Sequence, residues 1–126
     1  MSVNLQTRWD KLTPHQRIAA VCNDIIKHPY MCRLAGTLVH GEIILDDTVP
    51  TACTNGKDIR VNPEFIKDMT RKQLRYLLCH EIYHKYLKHH MPAYRSIVVK
   101  YPEPSNMAMD YVINWFIETT PGAAHF

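Results

Sequence analysis

Residues 77–86 decide the fold of this chain, and they read Leu-Leu-Cys-His-Glu-Ile-Tyr-His-Lys-Tyr. An α-helix advances about 100° per residue, so side chains four positions apart lie on the same face, one turn apart. The spacing therefore predicts a helix on which His80 and His84 aim their imidazole nitrogens at one point. Glu81 lies slightly round the same side of that helix. Two imidazoles with a nearby carboxylate are the groups that a zinc site needs to activate water.

Signals on both sides of the motif support one uninterrupted helix. Thr70 and Gln73 have the spacing of a capping box, so the helix is predicted to begin just after Thr70. Residues 71–90 contain no glycine or proline, and Pro92 predicts that the helix ends near Met91. An alternative interpretation is an amphipathic core helix with two exposed histidines and no metal.

A catalytic zinc usually has three protein ligands, so the motif needs a third. His90 lies ten residues after His80, but the sharp turn that would bring it back requires glycine where this chain has Leu87. Asp110 is the favoured candidate. It lies within an otherwise apolar segment, and a buried carboxylate is costly unless it is paired or bound to a metal.

The alternatives for Asp110 stay open at this point. A salt bridge to Arg95 or another basic residue would also explain a carboxylate in an apolar helix, and His90 stays the competing third ligand. If Asp110 is the ligand, Asn106 and Asn114 lie one turn on either side of it and are expected to orient it.

The rest of the chain predicts further helices and three short strands around the motif helix. The predicted helices run from Pro14 to about His28, from Pro63 to about Met69, and from Asn106 to Ile117, with Thr13, Asn62 and Ser105 as their caps. The predicted strands are residues 41–45, 51–54 and 58–62. The Asn55-Gly56 turn predicts an antiparallel hairpin between the second and third strands.

Length and composition predict a single domain, residues 1–126, in which residues 1–12 and 119–126 are expected to be loose. The N-terminus lacks the pattern of a secretory signal and no apolar run approaches membrane-spanning length, so we expect a cytoplasmic protein that does not bind membranes. The four cysteines lack Cys-x-x-Cys spacing and are expected to be free and buried. The net charge of +3, without a dense basic run, argues against nucleic acid as a partner.

Four segments, taken in order, resemble the metallopeptidase domain of phage and bacterial proteins. They are residues 51–57, residues 62–65, residues 80–84 with His89, and residues 108–114. The resemblance covers about residues 30–118. In that family the domain usually precedes a von Willebrand factor A-like domain, so we expect either a short version of such a protein or a fragment of a longer one, in the host cytoplasm if it is a phage protein.

The resemblance implies an α+β fold, a minimal zincin-like domain. In it, a small antiparallel β-hairpin or sheet packs on the HExxH helix and flanking helices. The resemblance also implies that His80 and His84 are metal ligands and that Glu81 is the catalytic residue. It implies Asp110 as the third ligand.

The sequence thus predicts a zinc-dependent metallopeptidase in which Glu81 assists the attack of water on a peptide bond. Residues 59–61 are expected to pair, as a strand, with an extended protein or peptide substrate. The alternative is a catalytically silent, zinc-stabilised binding module that acts on a host or phage protein. Two histidines and a carboxylate also suit iron or manganese, but the helical motif favours Zn²⁺.

Overall fold

The computed structural model describes residues 8–87, 100 and 102–120. The helices numbered here in chain order are α1 Pro14–Lys27, α2 Ala35–Val39, α3 Pro63–Ile66, α4 Arg71–Tyr86 and α5 Pro102–Thr119, and residues 8–10 are also helical. A 3₁₀ helix, Met31–Leu34, precedes α2. The strands are β1 Ile43–Leu45, β2 Ala52–Thr54 and β3 Ile59–Val61. The predicted α+β class is therefore confirmed.

Capping boxes begin the helices α1 and α4. At α1, the Thr13 hydroxyl accepts from the Gln16 amide at 3.2 Å, and the Gln16 side chain accepts from the Thr13 amide at 2.8 Å. Thr70 and Gln73 form the same reciprocal pair at α4, with distances of 3.2 and 2.9 Å. These bonds satisfy amides that have no partner within the helix, which is why both predicted starts are confirmed.

The motif helix α4 ends earlier than the sequence predicts. Its last residue is Tyr86, and the Leu87 amide donates to the Tyr83 carbonyl at 2.8 Å in a closing turn with φ −81° and ψ 0°. The prediction of a helix continuing to about Met91 was therefore wrong, since Pro92 is not what ends it. His89, His90 and Arg95 lie outside the described residues.

The three strands form a mixed sheet in the order β1-β3-β2. β2 and β3 are antiparallel, with Thr54 opposite Ile59, so the hairpin predicted at Asn55-Gly56 is confirmed. Gly56 has a φ of 95°, in the left-handed region that glycine adopts without steric cost. β1 instead pairs parallel with β3, with Ile43 opposite Ile59. The central strand is thus β3, and β2 is an edge strand that contacts α4.

The last helix begins before its predicted cap. α5 starts at Pro102, three residues ahead of Ser105, and continues to Thr119. The prolines at positions 102 and 104 precede the predicted cap, and both lie in the first turn of the helix. Amides there have no acceptor within the helix, so a missing N–H costs nothing. The short helix α3 also ends earlier than predicted, at Ile66.

The core lies between α1, α4, α5 and the inner face of the sheet. Its fully buried side chains include Val21, Ile25, Met31, Leu34, Ile59, Val61, Ile66, Leu74, Leu78, Ile82 and Ile113. The side chains alternate along β3, where Ile59 and Val61 are buried and Arg60 is exposed. In the described part of the chain, no helix is both long and apolar enough to cross a membrane.

Residues 8–12 pack on this core, in contrast to the expectation of a loose N-terminal segment. Trp9 is 3% exposed, and its indole N–H donates to the Met69 carbonyl at 2.9 Å. The guanidinium groups of Arg17 and Arg71 lie 5.3 and 5.9 Å from the Trp9 ring centroid. Such cation–π contacts tie the segment before α1 to the start of α4.

Candidate metal site

The helix α4 sets the two motif histidines at the border between the core and the surface. Leu74, Leu78 and Ile82 are fully buried on one side of the helix. The side chains of His80 and His84 are each 19% exposed. Both imidazoles therefore turn one nitrogen outward from a helix whose position the core determines, as the four-residue spacing predicts.

Asp110 of α5 completes a cluster with these two histidines. Its Oδ1 lies 3.1 Å from His80 Nε2 and 3.4 Å from His84 Nε2, and the two Nε2 atoms are 3.2 Å apart. The Asp110 side chain is 52% exposed, so the cluster opens to the surface on the side of α5. All three residues are groups that can each offer one ligand atom to a metal ion.

The spacing within the cluster fits a tetrahedral ion. Ligands about 2.0–2.1 Å from a tetrahedral zinc are separated from one another by roughly 3.3 Å. The three distances, 3.1, 3.2 and 3.4 Å, lie close to that separation. Three electron-rich atoms this close together repel one another unless a cation, either a proton or a metal ion, lies among them. The donor set therefore fits a divalent metal ion that His80, His84 and Asp110 would hold.

Glu81 lies beside the cluster and is buried. Glu81 is only 8% exposed. Burial raises the pKa of its carboxyl group from its ordinary value to about 7, and the negative charge of Asp110 adds to this rise. Desolvation disfavours the ionised form, and a second carboxylate nearby repels it. A carboxyl group with a pKa near neutrality can both accept and release a proton under physiological conditions.

Contacts between α4 and α5 determine where Asp110 lies. The rings of Tyr83 and Phe116 stack with centroids 5.6 Å apart and an interplanar angle of 16°. Ile113, one turn after Asp110, is fully buried. The Tyr76 hydroxyl donates to Asn114 Oδ1 at 2.7 Å across the same interface. An aromatic stack and one side-chain hydrogen bond thus join α4 to α5, the two helices that carry His80, His84 and Asp110.

Sequence reasoning did not find two buried polar groups on α4. Lys85 is 5% exposed, and its ammonium group donates to the His40 carbonyl ahead of β1. Burial lowers the pKa of Lys85, while the charge of Asp58 opposes that shift. Arg33 donates to the hydroxyl of the buried Tyr83 at 2.8 Å. Neither partner lies near in sequence, so helical spacing could not have indicated these pairs.

The cysteines take no part in the cluster. All four thiols are free, as predicted, but Cys32 and Cys53 are exposed and only Cys79 is fully buried. Cys79 precedes His80 on the core side of α4, and burial raises the pKa of its thiol to about 12. A protonated, buried thiol is a poor metal ligand.

These features together define a small α+β domain with a candidate metal site built on an HExxH helix. A family model described as "Putative metallopeptidase domain" matches residues 13–120 of the chain. The chain belongs to this family, and the resemblance drawn from the sequence is confirmed. No curated protein and no solved structure matches the chain. Membership suggests a metal-dependent, peptidase-like role.

Proposed function

We propose that this protein is a zinc-dependent peptidase whose metal is held by His80, His84 and Asp110. The observation that carries the proposal is the convergence of three ligand atoms at distances of 3.1 to 3.4 Å. Two imidazole nitrogens and one carboxylate oxygen, with a fourth position open, are the donor set of catalytic zinc sites. Zinc is favoured over calcium or magnesium because those ions prefer sites made entirely of oxygen ligands.

The chain's own residues divide the work at such a site. Zinc, when bound, supplies a Lewis acid that polarises a carbonyl group and makes water acidic near neutral pH. His80 and His84 would hold the metal from a helix whose position the core fixes, and Asp110 would be the third ligand. Glu81 accepts the proton of the attacking water and returns it to the amine that leaves. The position of Glu81, next to His80 on the same helix and buried, supports both steps.

The edge strand β2, rather than β3, is the place for an extended substrate to pair. β3 has a neighbour on each side in the sheet, so the expectation that residues 59–61 receive the substrate was wrong. The Asn62 amide donates to the Thr51 carbonyl at 2.7 Å, and Cys53 lies opposite Arg60. In an antiparallel pair the bonds alternate, so the backbone groups of Ala52 and Thr54 point away from β3. A peptide strand can add there beside α4, which β2 contacts.

The variant Glu81→Gln tests this mechanism. It keeps the size of the side chain but removes the group that takes up the proton. We expect zinc content to stay at the wild-type value while the cleavage of unstructured peptides falls by about 10²–10⁴-fold. Glu64→Gln, the same change at an exposed position of α3, is the matched control and should keep full activity.

Three outcomes of this experiment have separate meanings. Full activity in Glu81→Gln would contradict the assignment of Glu81. Loss of zinc in the same variant would make Glu81 part of the metal site instead. A wild-type chain that binds zinc but cleaves no peptide in a broad mixture would favour the silent binding module over the peptidase.

A further inference from the structure

A second contact between α4 and α5 lies one helical turn from the candidate ligands. Tyr76 precedes His80 by four residues on α4, and Asn114 follows Asp110 by four residues on α5. The hydroxyl of Tyr76 donates to Asn114 Oδ1 at 2.7 Å. Residues four apart on a helix lie on the same face, so this bond and the cluster occupy neighbouring positions on the same pair of helix faces.

On the part of α5 whose side chains the structure describes, Asp110 lies on an exposed stretch. Its side chain is 52% exposed, and within residues 107–112 no side chain is buried. The nearest buried residue of α5 in the described part is Ile113, followed by Ile117. Apolar contacts of this kind fix the distance between two helices, but they tolerate some sliding and rotation, because dispersion forces have little directional preference.

The hydrogen bond between the Tyr76 and Asn114 side chains adds the direction that apolar packing lacks. Its strength falls steeply when the donor, hydrogen and acceptor leave alignment. The Tyr83–Phe116 stack lies on a different part of the interface, with centroids 5.6 Å apart. Two contacts at separate points, one directional, restrict both the sliding and the rotation of α5 on α4.

We infer that Tyr76 and Asn114 are positioning residues that hold Asp110 at the distance from His80 and His84 that the metal requires. Their role does not require contact with the ligand atoms or a substrate. They act by fixing the position of α5 relative to α4. The inference rests on the proposed metal site. The sequence already led us to expect that Asn114 orients Asp110; the structure adds Tyr76 as its partner and the contact between α4 and α5 as the route. Removing a partner that is hydrogen-bonded directly to a metal ligand typically changes metal affinity by about 10–100-fold, so a pair that acts through the placement of a helix should lie near the lower end of that range.

The test compares Tyr76→Phe, Asn114→Ala and the double variant with the full-length wild-type chain. Zinc affinity is measured by competition with a chelator, and the absorption spectrum of the Co²⁺-substituted protein reports the coordination of the metal. Tyr76→Phe removes only the hydroxyl group. Tyr86→Phe is the matched control, because Tyr86 is a half-exposed tyrosine on the same helix.

We expect Tyr76→Phe and Asn114→Ala each to weaken zinc binding by about tenfold. The double variant should weaken it no further, because both changes break the same bond. At saturating Co²⁺ the visible absorption of these variants should fall, as expected when a water replaces a protein oxygen and the site departs from tetrahedral geometry. Tyr86→Phe should match the wild type in both measurements.

Two results would overturn the inference, and they are distinguishable. If the wild-type chain binds zinc and Tyr76→Phe has the same zinc affinity and Co²⁺ spectrum, only the positioning role is overturned. A wild-type chain that binds no metal would overturn the proposed function as well. Variants that lower the melting temperature of the metal-free chain but leave the Co²⁺ spectrum unchanged would show that the bond only supports the fold, which contradicts the inference.

Discussion

The two helices that supply the candidate ligands are embedded to different depths. α4 buries seven residues along its length: Leu74, Leu78, Cys79, Glu81, Ile82, Tyr83 and Lys85. Within residues 107–119 of α5, only Ile113 and Ile117 are buried, whereas Met107, Tyr111 and Trp115 are more than half exposed. The difference suggests that the core presents the two histidines whether or not a metal is bound, and that Asp110 reaches its position with less support.

The largest effects should come from removing a ligand on either helix. His80→Ala and Asp110→Ala should each lower zinc affinity by more than about 100-fold, since losing a ligand costs more than losing a partner that orients one. The stability of the metal-free chain should change little in Asp110→Ala, because its contacts with the histidines are partly exposed to solvent. Elemental analysis and chelator competition measure the metal, and urea unfolding measures stability.

The control for this pair is Asp47→Ala, which removes an exposed carboxylate far along the chain from the cluster. It should leave zinc binding unchanged. Zinc retained by Asp110→Ala would assign the third ligand to another group, with His90 as the candidate that the sequence offers. The metal would then not combine two less exposed ligands on α4 with a more exposed third ligand on α5.

A smaller effect should appear when zinc is removed from the intact protein. At a free zinc concentration about 100 times the dissociation constant, the metal stabilises the folded chain by about 2.7 kcal/mol. Because α5 has the fewer buried contacts, we expect zinc to slow amide hydrogen exchange more in residues 107–119 than in α4. Exchange followed by mass spectrometry, with and without a chelator, measures this difference. An equal change in both helices would contradict the comparison.

The sequence was sufficient for the features that depend on local spacing. The relation of His80 to His84 follows from helical periodicity, and Thr70 with Gln73 begins α4 through bonds three residues apart. The sequence singled out Asp110 because a buried carboxylate is costly in an apolar helix. The structure places Asp110 beside both histidines, but its side chain is 52% exposed, so the expectation that it is buried was wrong. For the histidine spacing and the capping box, the physical cause lies within a few residues of the chain, whereas the contact of Asp110 with His80 joins residues 30 positions apart.

Features that depend on distant partners could not be predicted in this way. The parallel pairing of β1 with β3 joins residues 16 positions apart in sequence through a crossover, and the alternation of side chains does not specify the direction of a neighbour. The indole of Trp9 donates to a carbonyl 60 residues away. Tyr76 and Asn114 are 38 residues apart. These contacts arise from the packing of elements, which periodicity alone does not determine.

The smallest expected effect concerns Glu81 in the metal-free chain. Burial, with the Asp110 charge, raises the pKa of this carboxyl group to about 7, above its value in the unfolded chain. A group with a raised carboxyl pKa favours the folded state at low pH, and this contribution is lost as the pH rises through about 7. Wild type should therefore lose about 2 kcal/mol relative to Glu81→Gln between about pH 5 and about pH 8.

Urea unfolding of both metal-free chains at the two pH values measures the difference, and the subtraction removes titrations that the chains share. Saturating zinc should reduce it, because a positive charge beside Glu81 favours the ionised carboxylate and opposes the rise in its pKa. A metal-free difference that does not change with pH would mean that Glu81 is solvated in solution. In that case Glu81, the residue proposed to carry the proton, would not share the burial that distinguishes α4 from α5.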